Sequence, residues 1–220
     1  SLVINENGSP EVSYYDSDNN CLKLARWSGV TWEIEEVDSS ADVGLYSSLA
    51  LDGNGYANIS YYDNTTDDLK FARWTGSMWA IETVDGTGEV GEYSSLALDG
   101  NGDPVISYFD GTLSKLDLKI ARWNDSLSKW EFEVVDSTDR VGEYSSIKID
   151  PSGNPGISYL DYTNGDLKYA HLVGGQWVIE TVDIEGGVGQ YTSLAFDNNG
   201  NPHISYRDVT NSSLKYTYRD

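Results

Sequence analysis

The sequence predicts an all-β protein, a five-bladed β-propeller of four-stranded antiparallel blades whose fifth blade lacks its outer strand. Three observations carry this expectation. The chain repeats itself about every 47 residues, each repeat holds up to four strand-like blocks, and turn-forming residues separate the blocks.

The repeat is plainest in Ile59-Ser60-Tyr61-Tyr62-Asp63, which returns as Val12 to Asp16, Ile106 to Asp110, Ile157 to Asp161 and Ile204 to Asp208. Its serines are 47, 47, 51 and 47 residues apart. This is the second strand of each blade. The first is Ser48-Leu49-Ala50-Leu51-Asp52, with relatives at Ser1, Ser95, Ser146 and Ser193. The third is Leu69-Lys70-Phe71-Ala72-Arg73-Trp74, matched at Leu22, Leu118, Leu167 and Leu214. The fourth is Trp79 to Asp85, matched at Trp32, Trp130 and Trp177 but without a fifth copy. The blocks are rich in Tyr, Val, Ile and Trp, which suit a pleated, half-buried surface. Between them stand Asp, Asn and Gly, the residues of tight turns, as in Asp52-Gly53-Asn54-Gly55. Leu113 to Trp123 has helix-compatible spacing, but alignment with its four sister copies makes it a strand after a longer turn.

One domain over residues 1–220 follows, with blades at 1–38, 47–85, 94–136, 145–183 and 192–220. A lone blade cannot bury both faces, so the blades should stack and the ring should close. The missing last strand leaves two readings, a natively short fifth blade or a larger ring that was trimmed. Ser1 in place of an initiator Met suggests a processed form or an excised domain.

Composition narrows the partners. The chain carries 36 Asp and Glu against 14 Lys and Arg, a formal net charge of −22, which repels phosphate backbones and argues against nucleic acid. No apolar run of membrane-spanning length occurs, so membrane insertion is not expected. A single cysteine, Cys21, excludes an internal disulfide framework and a cysteine-cluster zinc site. It stands where Asp68 stands in the next repeat and reads as a drifted turn residue. The acidic, cysteine-poor, Tyr- and Asn-rich repeat suits a secreted or cell-surface protein.

The order Leu-Ala-Leu-Asp, turn, strand, turn is similar to the NHL-type blade. Ser28-Gly29-Val30-Thr31-Trp32 resembles the Gly-x-Thr-Trp end of the sialidase Asp-box, although the aspartate that names that box is missing from every copy. In repeat number and length the chain is similar to five-bladed invertebrate lectins. These likenesses imply the blade architecture.

A residue present in every blade usually serves the blade. Trp27/Trp32, Trp74/Trp79 and Trp123/Trp130 flank the third turn, with Leu172/Trp177 as the variant, and read as cross-strand pairs. In the functional alternative Trp32, Trp79, Trp130 and Trp177 form sugar-stacking platforms. Arg26 should face Glu33 in a surface ion pair. Val43-Gly44-Leu45-Tyr46-Ser47-Ser48 reads as a connecting loop of fixed length, since each Tyr follows the blade's Trp by 14 residues. Tyr46, Tyr93, Tyr144 and Tyr191 should then crowd the mouth of the central channel, either packing between blades or forming a ligand-binding ring. Asp16, Asp18, Asp63, Asp67, Asp161 and Asp166 lie in acidic loops whose alternating oxygens suit Ca²⁺, though none matches an EF-hand.

Catalysis needs asymmetry, and the departures from consensus are His171, His203, Arg207 and Lys148. They assemble no nucleophile, base and orienting group at a recognisable spacing. The sequence therefore points to a non-catalytic, multivalent binding module with a glycan ligand. The alternatives are a structural or protein-interaction propeller in a larger extracellular protein, tightened by calcium, and a polysaccharide-acting enzyme. The open edge of the fifth blade could also support an oligomer.

Overall fold

A computed structural model describes residues 1–219. Blade one contains β1 (Leu2–Ile4), β2 (Pro10–Asp16), β3 (Cys21–Trp27) and β4 (Trp32–Asp38). Blade two contains β5 (Val43–Leu51), β6 (Ala57–Asp63), β7 (Asp68–Trp74) and β8 (Trp79–Asp85). Blade three holds β9 (Val90–Leu98), β10 (Pro104–Asp110), β11 (Asp117–Asn124) and β12 (Lys129–Asp136). Blade four holds β13 (Val141–Ile149), β14 (Pro155–Asp161), β15 (Asp166–Val173) and β16 (Gln176–Asp183). Blade five has β17 (Val188–Phe196), β18 (Pro202–Asp208) and β19 (Ser213–Tyr218). Every sheet is antiparallel with its strands in chain order. The architecture is the five-bladed β-propeller that the repeat predicts, with a three-stranded last blade.

The innermost strands differ from expectation. Val-Gly-x-Tyr-Ser (Thr192 in blade five), read above as a loop, is the first half of a nine-residue strand in blades two to five. Each of these strands carries a bulge, and each places its tyrosine in the left-handed region, with φ of 52–54° at Tyr46, Tyr93, Tyr144 and Tyr191. The preceding glycine lets the strand approach the blade before it. A Cβ on Gly91 would come within 2.7 Å of Leu69 Cα, and one on Gly142 within 2.8 Å of Leu118 Cα. Only glycine fits there, and its positive φ suits it too. Cys21 is likewise not a turn residue. It opens β3, is fully buried, and pairs in register with Asp16 as Asp68 does with Asp63.

The core lies between blades. Leu22, Leu24 and Val37 of blade one pack with Leu49, Ile59 and Tyr61 of blade two, and sister sets fill the next interfaces. Full burial of one such aliphatic side chain is worth about 1.5–3 kcal/mol. Polar residues repeat across the same interfaces. Ser60 Oγ meets Ser94 Oγ at 3.0 Å, Ser107 meets Ser145 at 2.8 Å, and Ser158 meets Thr192 at 2.9 Å. Ser48 Oγ also accepts the Leu96 N–H of the next blade at 2.9 Å. The serines of the repeat are therefore inter-blade fasteners.

The fourth strand ends on an aspartate that the next blade uses. Tyr61 donates to Asp38 at 2.6 Å, Tyr108 to Asp85 at 2.7 Å, Tyr159 to Asp136 at 2.7 Å and Tyr206 to Asp183 at 2.7 Å. Lys70, Lys119 and Lys168 reach the same carboxylates. Burial pushes Asp38 upward, but the Lys70 and Tyr61 hydrogen bonds prevail and hold it down at about 2.

Blades five and one do not repeat this packing. Among the described residues, no hydrogen bond, ion pair or aromatic contact joins them. Leu214 is 81% exposed, whereas its sisters Leu22, Leu69, Leu118 and Leu167 are fully buried. Leu2 of β1 is 61% exposed, against 4% for Leu49 in the same place of blade two.

Candidate functional site

The four bulged strands bring the tyrosines together. Ring centroids of Tyr46 and Tyr93 are 4.6 Å apart, those of Tyr93 and Tyr144 4.6 Å, and those of Tyr144 and Tyr191 4.5 Å. The result is a continuous aromatic arc at the inner ends of the blades. Left-handed backbone on a tyrosine costs about 1–3 kcal/mol and persists only where its surroundings enforce it. Here the carbonyls of Tyr46, Tyr93 and Tyr144 accept hydrogen bonds from Ser94, Ser145 and Thr192 of the following blades. Tyr191, at the end of the arc, is 62% exposed.

Beside the arc sit charges that break the pseudosymmetry. The residue before each tyrosine is Leu45, Glu92, Glu143 and Gln190 in turn, so only blades three and four place a carboxylate there. Glu143 is buried and accepts from Arg140 Nε at 2.6 Å. Arg140 also lies over the Tyr162 ring at 4.4 Å and the Phe109 ring at 5.7 Å, which fixes its guanidinium. Burial pushes the Glu92 carboxyl above the usual range, and repulsion from Glu143 adds to this against the pull of Arg140. The Tyr46 hydroxyl is raised by burial and then by Glu92, which ties the glutamates to the aromatic arc. Glu92, Glu143 and Arg140 were not singled out from the sequence. Their signal was a variable position inside a Val-Gly-x-Tyr-Ser-Ser motif that otherwise changes only at Thr192 of blade five.

The other sequence candidates go elsewhere. All the tryptophans pair in register as expected, with centroids 5.5 Å apart in Trp27/Trp32, Trp74/Trp79 and Trp123/Trp130. Trp32 is exposed, but Trp79, Trp130 and Trp177 wedge against the preceding blade. Trp130 meets Phe71 edge-on at 5.6 Å, and Trp177 lies under Arg122 at 5.7 Å. Arg26 stands opposite Glu33 as expected, yet its ion pairs are with Glu35 and, at 3.2 Å, with Glu11.

Four of the six loop carboxylates are engaged by protein groups. Asp16 pairs with Lys23, and Asp63 and Asp161 lie 3.6 Å and 3.0 Å from Lys70 and Lys168. Asp67 accepts the Tyr62 hydroxyl at 2.6 Å. Asp18 is exposed, and its backbone N–H donates to Asp16. Burial and the neighbouring Asp161 push Asp166 upward. Among the described residues, no three His, Cys, Asp or Glu side chains converge as a metal cage. Lys148 and His203 sit at the ends of their strands remote from the arc, and His203 bonds to Tyr216. His171 stacks on Tyr169 and binds Glu180 at 2.9 Å.

No protein-family model and no curated protein matches the sequence. Solved structures do share its fold. A protein of unknown function from Dyadobacter fermentans superposes with a TM-score of 0.71 at 13% identity, covering 99% of this chain and 74% of its own. An α-L-arabinanase from Penicillium chrysogenum, complexed with arabinobiose, gives 0.69 at 14%, covering 98% and 76%. The Hadza microbial sialidase Hz136 gives 0.63 at 13%, covering 99% and 55%. The non-catalytic assignment drawn from the sequence is corrected by these findings. The arabinanase and the sialidase are enzymes on this scaffold, so recurrence of side chains from blade to blade does not argue against catalysis. The NHL-type and Asp-box likenesses are likenesses of single blades, with no family model behind them.

Proposed function

We propose that the protein is a carbohydrate-directed propeller that takes its glycan at the inner ends of blades two to five. The observation that carries this reading is the tyrosine arc flanked by Glu92 and Glu143. Flat aromatic faces suit the apolar face of a pyranose or furanose ring, and the neighbouring carboxylates accept its hydroxyls. The two glutamates stand in unequal surroundings, one raised by burial and repulsion, the other bound to a guanidinium. Such a pair can divide the work of glycosidic cleavage. Glu92 is then the proton donor and Glu143 the carboxylate on the other side of the bond. The arabinanase and the sialidase with this fold make polysaccharides the first substrates to try.

The test is a panel of polysaccharides, arabinan among them, assayed both for retention of the protein and for release of reducing sugar. Glu92→Gln is expected to keep retention and lose release by more than 100-fold. Tyr144→Ala and Tyr191→Ala are expected to weaken retention. Retention unaffected by both tyrosine changes would place the ligand elsewhere and overturn the reading. Arg140→Gln removes a charge that stabilises ionised Glu92, so the Glu92 carboxyl should titrate at higher pH. Carbon-13 NMR of the glutamate carboxyls checks that shift.

A further inference from the structure

Near the end of each third strand stands a base, and in three blades it pairs with a glutamate of the fourth strand. Arg26 reaches Glu35, Arg122 reaches Glu133 at 3.1 Å, and His171 reaches Glu180 at 2.9 Å. Arg73 and Glu82 hold the same two places in blade two, yet among the described residues no ion pair or hydrogen bond joins them. Both are exposed. The Arg73 charge acts instead on Asp103 of the next blade. Burial, Asp99 and Asp125 push that carboxyl up, and Arg73 opposes them. The sisters of Asp103 that face Arg26 and Arg122 are Tyr56 and Asn154, which carry no charge to draw an arginine away.

The split pair lines a cavity of about 250 Å³ between blades two and three, together with Phe71, Trp123 and Trp130. Trp130 meets Phe71 edge-on at 5.6 Å and Trp123 edge-on at 5.5 Å, so three rings form a corner. The interface between blades one and two has Leu24 in place of Phe71. That between blades three and four has Ile120 there and Leu172 in place of Trp123. Of these three interfaces, only the middle one combines a three-ring corner with an open pair. Its neighbour indicates what such a place takes. There Arg122 lies 5.7 Å from the centre of the Trp177 ring and binds Glu133, a delocalised cation held between an indole and a carboxylate. Among the described residues Arg73 lies over no ring, so Trp130 and Glu82 offer the same two partners without the chain's own cation.

We propose that the recess between blades two and three binds a small quaternary ammonium molecule. Its methylated nitrogen lies against Trp130 and Trp123, with Phe71 behind them, in the place that the Arg122 guanidinium fills at the next interface. Glu82 supplies the opposite charge. A cation clothed in methyl groups holds its water weakly, so it loses little on entering an aromatic corner, where the negative faces of the rings attract it. None of these residues belongs to the tyrosine arc or to the charges beside it, so the site stands or falls apart from the glycan reading.

The test titrates choline into the full chain and follows the indole N–H signals by NMR. Those of Trp123 and Trp130 should shift together, and that of Trp32 in blade one should stay. The neutral isostere of choline, with carbon in place of nitrogen, should bind about tenfold more weakly. Glu82→Gln and Trp123→Leu should each weaken choline severalfold. Asp103→Asn releases Arg73 to pair with Glu82 as Arg122 pairs with Glu133, and should abolish choline binding while the melting temperature is kept. No shift at millimolar choline would mean no site. Equal binding of the neutral isostere would mean an apolar hole with no use for charge. Undiminished binding in Asp103→Asn would mean that the open pair does not make the place. Each of these three results overturns the proposal.

Discussion

Leu118 and Leu214 hold the same place in the repeat, each followed by lysine and a large side chain, and each on the third strand of its blade. One is fully buried and the other is 81% exposed. The difference lies outside their own blades. Leu118 is covered by Gly142 and the strand β13 that follows it, while among the described residues no strand covers Leu214 in that way. In this fold a blade supplies half of its own core and borrows the rest. The internal interfaces and the seam are therefore the same half-surfaces, once joined and once not.

The largest expected difference concerns charge. Lys119 lies within 2.7 Å of Asp85 and 3.5 Å of Asp110, all three nearly inaccessible. Asp85→Ala removes the nearer of that ammonium's two carboxylates and leaves the Tyr108 hydroxyl without its acceptor, at a cost of about 3–5 kcal/mol. At the seam, Lys23 pairs among the described residues with Asp16 alone, both partly open to solvent, and Asp16→Ala should cost only a fraction of that. Urea unfolding of the two variants compares them directly.

Packing should follow the same division. Leu118→Ala removes a side chain from a fully enclosed site and should cost about 2–5 kcal/mol. Leu214→Ala should change stability by no more than about 0.5 kcal/mol. A large loss at Leu214 would mean that the seam is covered in solution.

Acid should loosen the internal interfaces through their shared aspartates. Asp38, Asp85 and Asp183 are all held below the ordinary carboxylate value, with Asp38 at about 2, and so is Asp161 within blade four. The unfolded chain then binds more protons than the folded one as pH drops below 4, so stability falls through the range from 4 to 2. Glu92 and Asp117 work in the opposite sense, raised chiefly by burial. Protonating them first should slightly favour the folded state on leaving neutral pH. Thermal melts across pH 7 to 2 should therefore rise a little before they fall. A fall beginning at neutral pH would contradict this assignment.

The fold was legible because its signals are local and repeated five times. Strand-prone residues and the turn residues around them mark β6 or β10 without any knowledge of neighbours, and Trp74 opposite Trp79 follows from hairpin register alone. The bulge at Tyr46 was not legible. A tyrosine in the left-handed region contradicts backbone preference, and what enforces it is Ser94 of the next blade, a contact 48 residues away. The glutamates beside the arc were visible in principle as departures from consensus at one position. Rarity of residue type is a poorer guide, since His171 and His203 make ordinary surface contacts. The seam is invisible in sequence, since the blocks facing it read like all the others.

The smallest difference is the one that tests the borrowing most cleanly, because it removes a single oxygen. Ser107 Oγ and Ser145 Oγ meet at 2.8 Å in a buried setting, and Ser145 in turn donates to the Tyr93 carbonyl. Ser107→Ala leaves Ser145 with one partner fewer and should cost about 1 kcal/mol. Ser205 holds the same position in blade five, but among the described residues its hydroxyl has no fastener in a following blade, so Ser205→Ala should fall within about 0.5 kcal/mol of zero. Both changes keep the backbone and the volume nearly constant. A difference in their unfolding midpoints therefore reports the inter-blade bond alone, and equal losses would show that the serines serve their own sheets rather than the junctions between them.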